Sequence, residues 1–144
     1  MSDNNHSDAA TDYSLTGERI SPKRMRVEVG DGELVVGGEA NPVEHFLASV
    51  IACINSTGTM VARDMDIDIN ELTATVEGTV DYATYLGEES DARPGLQGLS
   101  VTVTVDADAD EAALDEWLAA IERRCPITDN VENETEIAVT VETV

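Results

Sequence analysis

Positive charge is what this sequence has least of. Lys23 is the only lysine, seven arginines accompany it, and 30 acidic residues leave a formal net charge of −22 over 144 residues. Such a surface repels phosphate backbones and anionic lipid headgroups, which excludes nucleic acid and membrane surfaces as expected partners. Long apolar runs are also missing. No stretch approaches the ~18 consecutive apolar residues of a membrane span, and the acidic, polar start of the chain lacks the positive charge and apolar core of a signal peptide. The expected location is therefore cytoplasmic. Cysteine is limited to Cys53 and Cys125, far apart in the chain, and a reducing compartment disfavours a permanent disulfide between them. With His6 and His45 they make no zinc spacing. The run Asp106, Asp108, Asp110 imitates a calcium loop, but Glu111 replaces the turn glycine and Trp117 the bidentate glutamate. Gly37 and Gly38 are too few for a phosphate cradle, and no Gly-x-Ser-x-Gly elbow occurs. Neither a metal nor a bound cofactor is expected.

What the chain does have is a hydrophobic fraction of 42% in a length close to that of one domain, enough to bury a core. The acids are spread through every segment, so the excess charge belongs to a solvated folded surface. Its self-repulsion would be screened by multimolar salt, where the Debye length falls to ~3 Å at 1 M. This points to a protein of a salt-loving organism. Residues 1–16, rich in Ser, Asp, Asn and Thr, read as a disordered acidic tail, and residues 17–144 as a single domain.

Within that domain Met25, Val27 and Val29, then Leu34 and Val36, alternate around Gly30-Asp31-Gly32, which predicts a β-hairpin. Asn41-Pro42-Val43-Glu44 has an N-cap, a proline for the first turn and a glutamate at the reciprocal capping position. The helix it opens carries Phe46, Leu47, Val50, Ile51, Ile54 and Val61 on one stripe to about Asp64, with Gly58 a weak point and Cys53 on the stripe. Leu72 to Val80 and Leu99 to Val105 alternate as two half-buried strands, joined by a long loop from Tyr82 to Gly98. Leu114, Trp117, Leu118 and Ile121 mark a second helix that begins among the acids Asp108 to Glu111 and ends at Arg123-Arg124-Cys125-Pro126. Ile137, Val139 and Val141 predict a last strand. The order is ββαββαβ, an α+β fold in which one antiparallel sheet packs on a long Cys-bearing helix, with a second helix beside it.

The cysteines are the residues left to carry chemistry. Cys53 is either an inert core thiol, its pKa raised by burial, or a nucleophile activated by a cation from another segment. Arg24 and Arg26 on the first hairpin are the candidates for that cation. Glu44 either orients the guanidinium or simply closes its capping box. Nine residues of helix put Glu44 ~13.5 Å from Cys53, so the two cannot meet directly. Cys125, between Arg123-Arg124 and a proline-initiated loop, is expected in an exposed, flexible setting that suits a resolving thiol.

The segment from Asn41 through Pro42, Glu44 and Leu47 to Cys53 resembles the Cys-bearing helix of the OsmC/Ohr family, the osmotically induced and organic hydroperoxide resistance proteins. Glu122-Arg123-Arg124-Cys125-Pro126-Ile127-Thr128-Asp129-Asn130 resembles that family's second cysteine motif. The resemblance spans about Arg24 to Val141. It implies an interwoven homodimer with two sites at the interface, and a thiol peroxidase that reduces organic hydroperoxides to alcohols in oxidative or osmotic stress. Cys53 would become a sulfenic acid, Cys125 would condense with it to a disulfide, and an external dithiol would restore both. An arginine, Arg26 before Arg24, would hold the thiolate, with Glu44 orienting it. Val43 stands where the hydroperoxide-resistance branch has glutamate directly after the proline, and the link between hairpin and Asn41 is shorter than in the best-known members. Glu44 fits the OsmC-like branch. The alternative is a non-catalytic dimer of the same fold that binds a small apolar ligand.

Overall fold

The computed structural model describes residues 7–144. Of the tail expected over 1–16, residues 1–6, His6 among them, lie outside the described residues. From Ser7 to Leu15 the chain is exposed and forms neither helix nor strand. The fold is α+β, in the order β1 (Thr16–Ser21), β2 (Arg24–Val29), β3 (Gly32–Val36), α1 (Pro42–Asp64), β4 (Ile69–Val80), β5 (Leu96–Ala107), α2 (Glu111–Arg124) and α3 (Pro126–Glu132). It divides into two units, one ending at His45 and the other covering Phe46–Val144.

The first unit is an antiparallel sheet in the order β1-β2-β3. Val29 pairs with Gly32 across the turn expected at Gly30-Asp31, and Gly30 takes a φ of +57° that only glycine adopts without cost. Beyond β3, Gly37 has a φ of +94°, and a Cβ there would stand 1.8 Å from the Lys23 carbonyl oxygen, so the backbone itself fills the space a side chain would need. Met25 faces Val36 and Val27 faces Leu34, which gathers the apolar residues of the hairpin on one side of the sheet. β1 is a strand that alternation does not reveal. Its sequence, Thr-Gly-Glu-Arg-Ile-Ser, has one apolar residue, and it is held by backbone pairing to β2. None of the described residues of this unit is buried.

The second unit holds the core. β4 and β5 form a long antiparallel hairpin whose register sets Leu72 opposite Val105, Ala74 opposite Val103 and Val76 opposite Val101, all on one face. Leu72, Leu99, Val103 and Val105 from that face pack against Val50, Ile54, Val61 and Ala62 of α1 and Trp117, Ala120 and Ile121 of α2. α1 starts with the expected reciprocal cap: Glu44 N–H donates to Asn41 Oδ1 at 2.8 Å and Asn41 N–H donates to Glu44 Oε1 at 3.0 Å. By length and composition it could cross a membrane, with a mean hydropathy of 1.3. Its apolar stripe is spent on the core instead, since Val50, Ile54 and Val61 pack on α2 and the hairpin.

Gly58, expected to weaken α1, is where α2 is seated. The Trp117 indole lies over it and Nε1 donates to the Gly58 carbonyl oxygen at 2.8 Å. A Cβ at residue 58 would stand 2.9 Å from Trp117 Cζ2 and 3.2 Å from Ile121 Cδ1. Asp110 caps α2 by accepting from Ala113 N–H at 2.8 Å, and the helix ends where Pro126 cannot continue it.

Three expectations are corrected. There are two antiparallel sheets, not one, because the first hairpin pairs with β1 and not with the β4-β5 strands. The order is βββαββαα, because Pro126, pre-set for a first helical turn, opens α3. Among the described residues the last strand does not form: Ile137, Val139 and Val141 alternate as expected but are 83%, 79% and 87% exposed and pair with no described strand. Alternation reports which side of a strand is apolar, not which edge receives it.

Two outcomes follow. Gly58→Ala should lower stability by about 1–2 kcal/mol, because overpacking against the rigid indole outweighs the gain in helix propensity. Chemical denaturation followed by Trp117 fluorescence measures this, and an unchanged or higher midpoint would contradict it. Among the described residues two ion pairs form, Arg26 with Glu33 and Arg124 with Asp64, both partly exposed, so most of the acidic charge is not balanced by a paired cation. Thermal unfolding should accordingly shift upward between 0.1 M and 3 M KCl, by roughly 3–5 °C for each ~1 kcal/mol of relieved repulsion.

Candidate active site

Two elements bring the cysteines together. Cys53 projects from α1 one turn after Val50, and Cys125 sits where α2 stops and α3 starts, so the seating of α2 on α1 fixes the gap between them. Their sulfurs are 3.0 Å apart, as free thiols in a hydrogen bond. A disulfide needs ~2.05 Å, so closure requires about 1 Å of movement. The expected exposed setting of Cys125 is corrected: it is 1% exposed and belongs to the core, whereas Cys53 is only half-buried. The reason is that Pro126 turns the chain directly into α3, so Cys125 stays in the core with Ile121 instead of opening into a loop.

The two thiols differ in electrostatics. Cys53 has a raised pKa, chiefly from burial and then from its hydrogen bond to Cys125; the Ile127 backbone N–H and the Thr57 hydroxyl, 3.8 Å from the sulfur, pull the other way. At Cys125 burial also opposes charge, but it is outweighed by the Thr128 hydroxyl, the Cys53 thiol and the backbone N–H groups of Thr128 and Ile127, and the net pKa is lowered. Thr128 Oγ1 is itself buried and has no well-aligned partner. Beside a neutral thiol it stays unsatisfied; a thiolate on Cys125, a stronger acceptor, would satisfy it. The proton of the pair therefore favours Cys53 and the charge favours Cys125, across a gap short enough for transfer. Such a pair titrates as one unit.

Thr128 and Thr57 are site residues that the sequence reading missed. The signal for Thr128 was present: a proline immediately after Cys125 marks a helix start, makes Cys125 its N-cap and brings the next two or three residues round to the sulfur. The other expected residues belong to local bonds. Arg26 Nε donates to Glu33 Oε2 at 2.8 Å across β2 and β3, and Arg24 lies two residues before it on the same face of β2. Glu44 completes the cap of α1. Of the arginines beside Cys125, Arg124 is held by Asp64 at 3.0 Å. Among the described residues no cluster of three or more His, Cys, Asp or Glu side chains could hold a metal.

A cavity of about 440 Å³ is lined mainly by apolar residues, among them Val50, Ile54, Leu99 and Ile121, with Thr128, Glu122 and Glu132 also on its wall; neither cysteine lines it. No residue of the connection between β4 and β5 lines it. That connection is tied to itself instead, by Thr84 Oγ1 donating to the Ala92 carbonyl at 2.8 Å and Arg93 donating to the Leu96 carbonyl at 2.6 Å.

The family model described as OsmC-like protein matches residues 30–140, which include both cysteines and the cavity. The chain belongs to the OsmC-like family. Solved OsmC-like structures share the fold at low identity. The OsmC-like protein of Mycoplasma pneumoniae is 18% identical with a TM-score of 0.75, over 86% of this chain and 89% of that one. The organic hydroperoxide resistance protein OsmC of Legionella pneumophila is 19% identical with a TM-score of 0.56, over 85% and 91%. The organic hydroperoxide resistance protein OhrB of Bacillus subtilis is 20% identical with a TM-score of 0.54, over 84% and 90%. Among curated proteins none matches the sequence.

If the thiols share a proton, the thiolate absorbance near 240 nm should rise in two separated steps on titration. The first should fall below the ~8.5 of a free thiol and the second above it. Cys125→Ser should leave only a step above the free-thiol range. Two protons lost together near ~8.5 in the native protein would contradict this reading.

Proposed function

We propose that this OsmC-like protein is a thiol peroxidase that reduces organic hydroperoxides to alcohols through a Cys53 sulfenic acid resolved by Cys125, in oxidative or osmotic stress defence. The observation that carries the reading is the 3.0 Å approach of the two sulfurs, because a sulfenic acid formed on one is within reach of the other without refolding. Cys53 is assigned the nucleophile because a peroxide can reach it, whereas Cys125 is closed off. Its proton passes to Cys125 as the peroxide binds. The Cys53 thiolate then attacks the outer oxygen, the O–O bond breaks, and the alkoxide leaves as an alcohol after taking a proton. Cys125 next attacks the sulfenic sulfur, water leaves and the disulfide forms. An external dithiol returns both thiols, and the cycle needs no bound cofactor and no metal.

The apolar cavity suits an alkyl chain better than hydrogen peroxide. Arg26, with Arg24 beside it, is assigned the cation that steadies the Cys53 thiolate, and Glu44 its orientation. We further propose a homodimer. Met25, Val29 and Leu34 are each 43% exposed on a sheet with no core of its own, and Ile137, Val139 and Val141 are largely bare; both surfaces ask for a partner. The acidic surface fits the salt-rich cytoplasm of a halophile and disfavours nucleic acids and membranes.

The raised pKa of Cys53 and the apolar cavity favour one rival, a non-catalytic dimer that holds a small apolar ligand. Variants separate the two. Cys53→Ser should abolish turnover of tert-butyl hydroperoxide with a dithiol, by at least ~10³-fold, while Cys125→Ser should turn over once and accumulate a sulfenic acid that dimedone labels on Cys53. Turnover retained by Cys53→Ser would overturn the assignment of Cys53, and no turnover in the native protein would leave the rival standing.

A further inference from the structure

We propose that the reducing thiol enters at Cys53 and expels Cys125, and that Thr128 is the positioning residue that receives the departing sulfur. This rests on the disulfide cycle proposed above and assigns it a direction. Thiol–disulfide exchange passes through a mixed disulfide, so one of the two sulfurs must be attacked from outside while the other leaves. Access decides the first. Cys125 is 1% exposed and enclosed by core side chains, so no external thiolate approaches its sulfur in line with the S–S bond, whereas Cys53 keeps part of its surface open. The fate of the leaving sulfur decides the second. Thr128 Oγ1 is buried without a hydrogen-bond partner, in the first turn of the helix that Cys125 opens and on the wall of the cavity. A buried hydroxyl left unsatisfied is costly, and a departing Cys125 thiolate removes that cost at the moment it forms. At Cys53 the Thr57 hydroxyl is already within hydrogen-bond reach of the resting thiol at 3.8 Å, so it is not an unsatisfied group waiting for a departing sulfur.

The steps balance. The first thiolate of a dithiol attacks Cys53 Sγ, the S–S bond breaks, and its electron pair leaves on Cys125, which later takes a proton. The second thiolate of the dithiol attacks the reductant's own sulfur in the mixed disulfide. Cys53 leaves as a thiolate and the dithiol departs as its disulfide, oxidised by the two electrons that the protein has gained.

The test uses full-length protein oxidised with diamide, so that no peroxide chemistry is needed to make the disulfide. Neutral 2-mercaptoethanol is added, the exchange is quenched at short times with acid and N-ethylmaleimide, and peptides are mapped. The mercaptoethanol adduct should lie on Cys53 and the maleimide on Cys125. Thr128→Val should slow formation of that adduct by about three- to tenfold and raise the thiol pKa of Cys125 measured in a Cys53→Ser background, with Thr128→Ser restoring both. An adduct on Cys125, an unchanged rate and pKa in Thr128→Val, or no disulfide after diamide would each overturn the proposal. Exchange at Cys53 in a protein that hydroperoxides fail to oxidise would instead sink the peroxidase reading and leave this one intact.

Discussion

The contact between Trp117 and Gly58 is the constraint on which the arrangement depends. A glycine inside a long helix sacrifices roughly 1 kcal/mol of helix propensity relative to alanine. Here it removes the one side chain that would hold α2 off α1, and it exposes a carbonyl oxygen to the indole N–H at 2.8 Å. Ile121, one turn further along α2, reaches the same spot. Trp117 and Ile121 are 3% and 2% exposed, so most of their apolar surface is removed from water against α1. That is worth several kcal/mol by area, well beyond the propensity lost. The seat also dictates where α2 ends. Cys125 follows one turn after Ile121, donates its N–H to the Ile121 carbonyl at 2.9 Å, and is left facing Cys53.

From that placement the chemistry of the pair follows. Burial alone would push both thiols up and make both inert. At Cys53 it raises the pKa, but the turn into α3 surrounds Cys125 with donors that more than offset the desolvation. The result is an uneven pair, with one sulfur accessible and reluctant to ionise and the other enclosed and ready to. Access and acidity are thus divided between two residues that share a proton across 3.0 Å. A nucleophile is usually thought of as needing its own cation; in this unit the buried partner offers a place for the proton.

Much of this was legible in the residues, for reasons that can be named. The capping signature at Asn41 and Glu44 and the apolar stripe fixed α1 over its full length, because capping and periodicity are local. The even spacing on β4 and β5 identified the face that meets the core for the same reason. Gly58 was read by its backbone cost, since its partner Trp117 lies 59 residues away and no local pattern announces it. β1 escaped notice because backbone pairing, with a single apolar residue, is all that defines it. Ile137, Val139 and Val141 show the reverse error: a strong alternation whose partner edge is not in the described chain. At the site, the two cysteines are visible as types and the family motifs imply that they work together, but the burial of Cys125 and the place of Thr128 depend on a helix that starts at Pro126, and a proline after a helix end marks a loop as readily as a new helix.

The central claim, that Cys53 and Cys125 form one redox pair, is tested most directly by stoichiometry. The reduced native protein, held in high salt, is treated with one equivalent of cumene hydroperoxide and digested without reductant for peptide mass mapping. The account predicts one equivalent of cumyl alcohol and a single cross-link joining the Cys53 and Cys125 peptides. Both thiols recovered intact, with the hydroperoxide unconsumed, would contradict it.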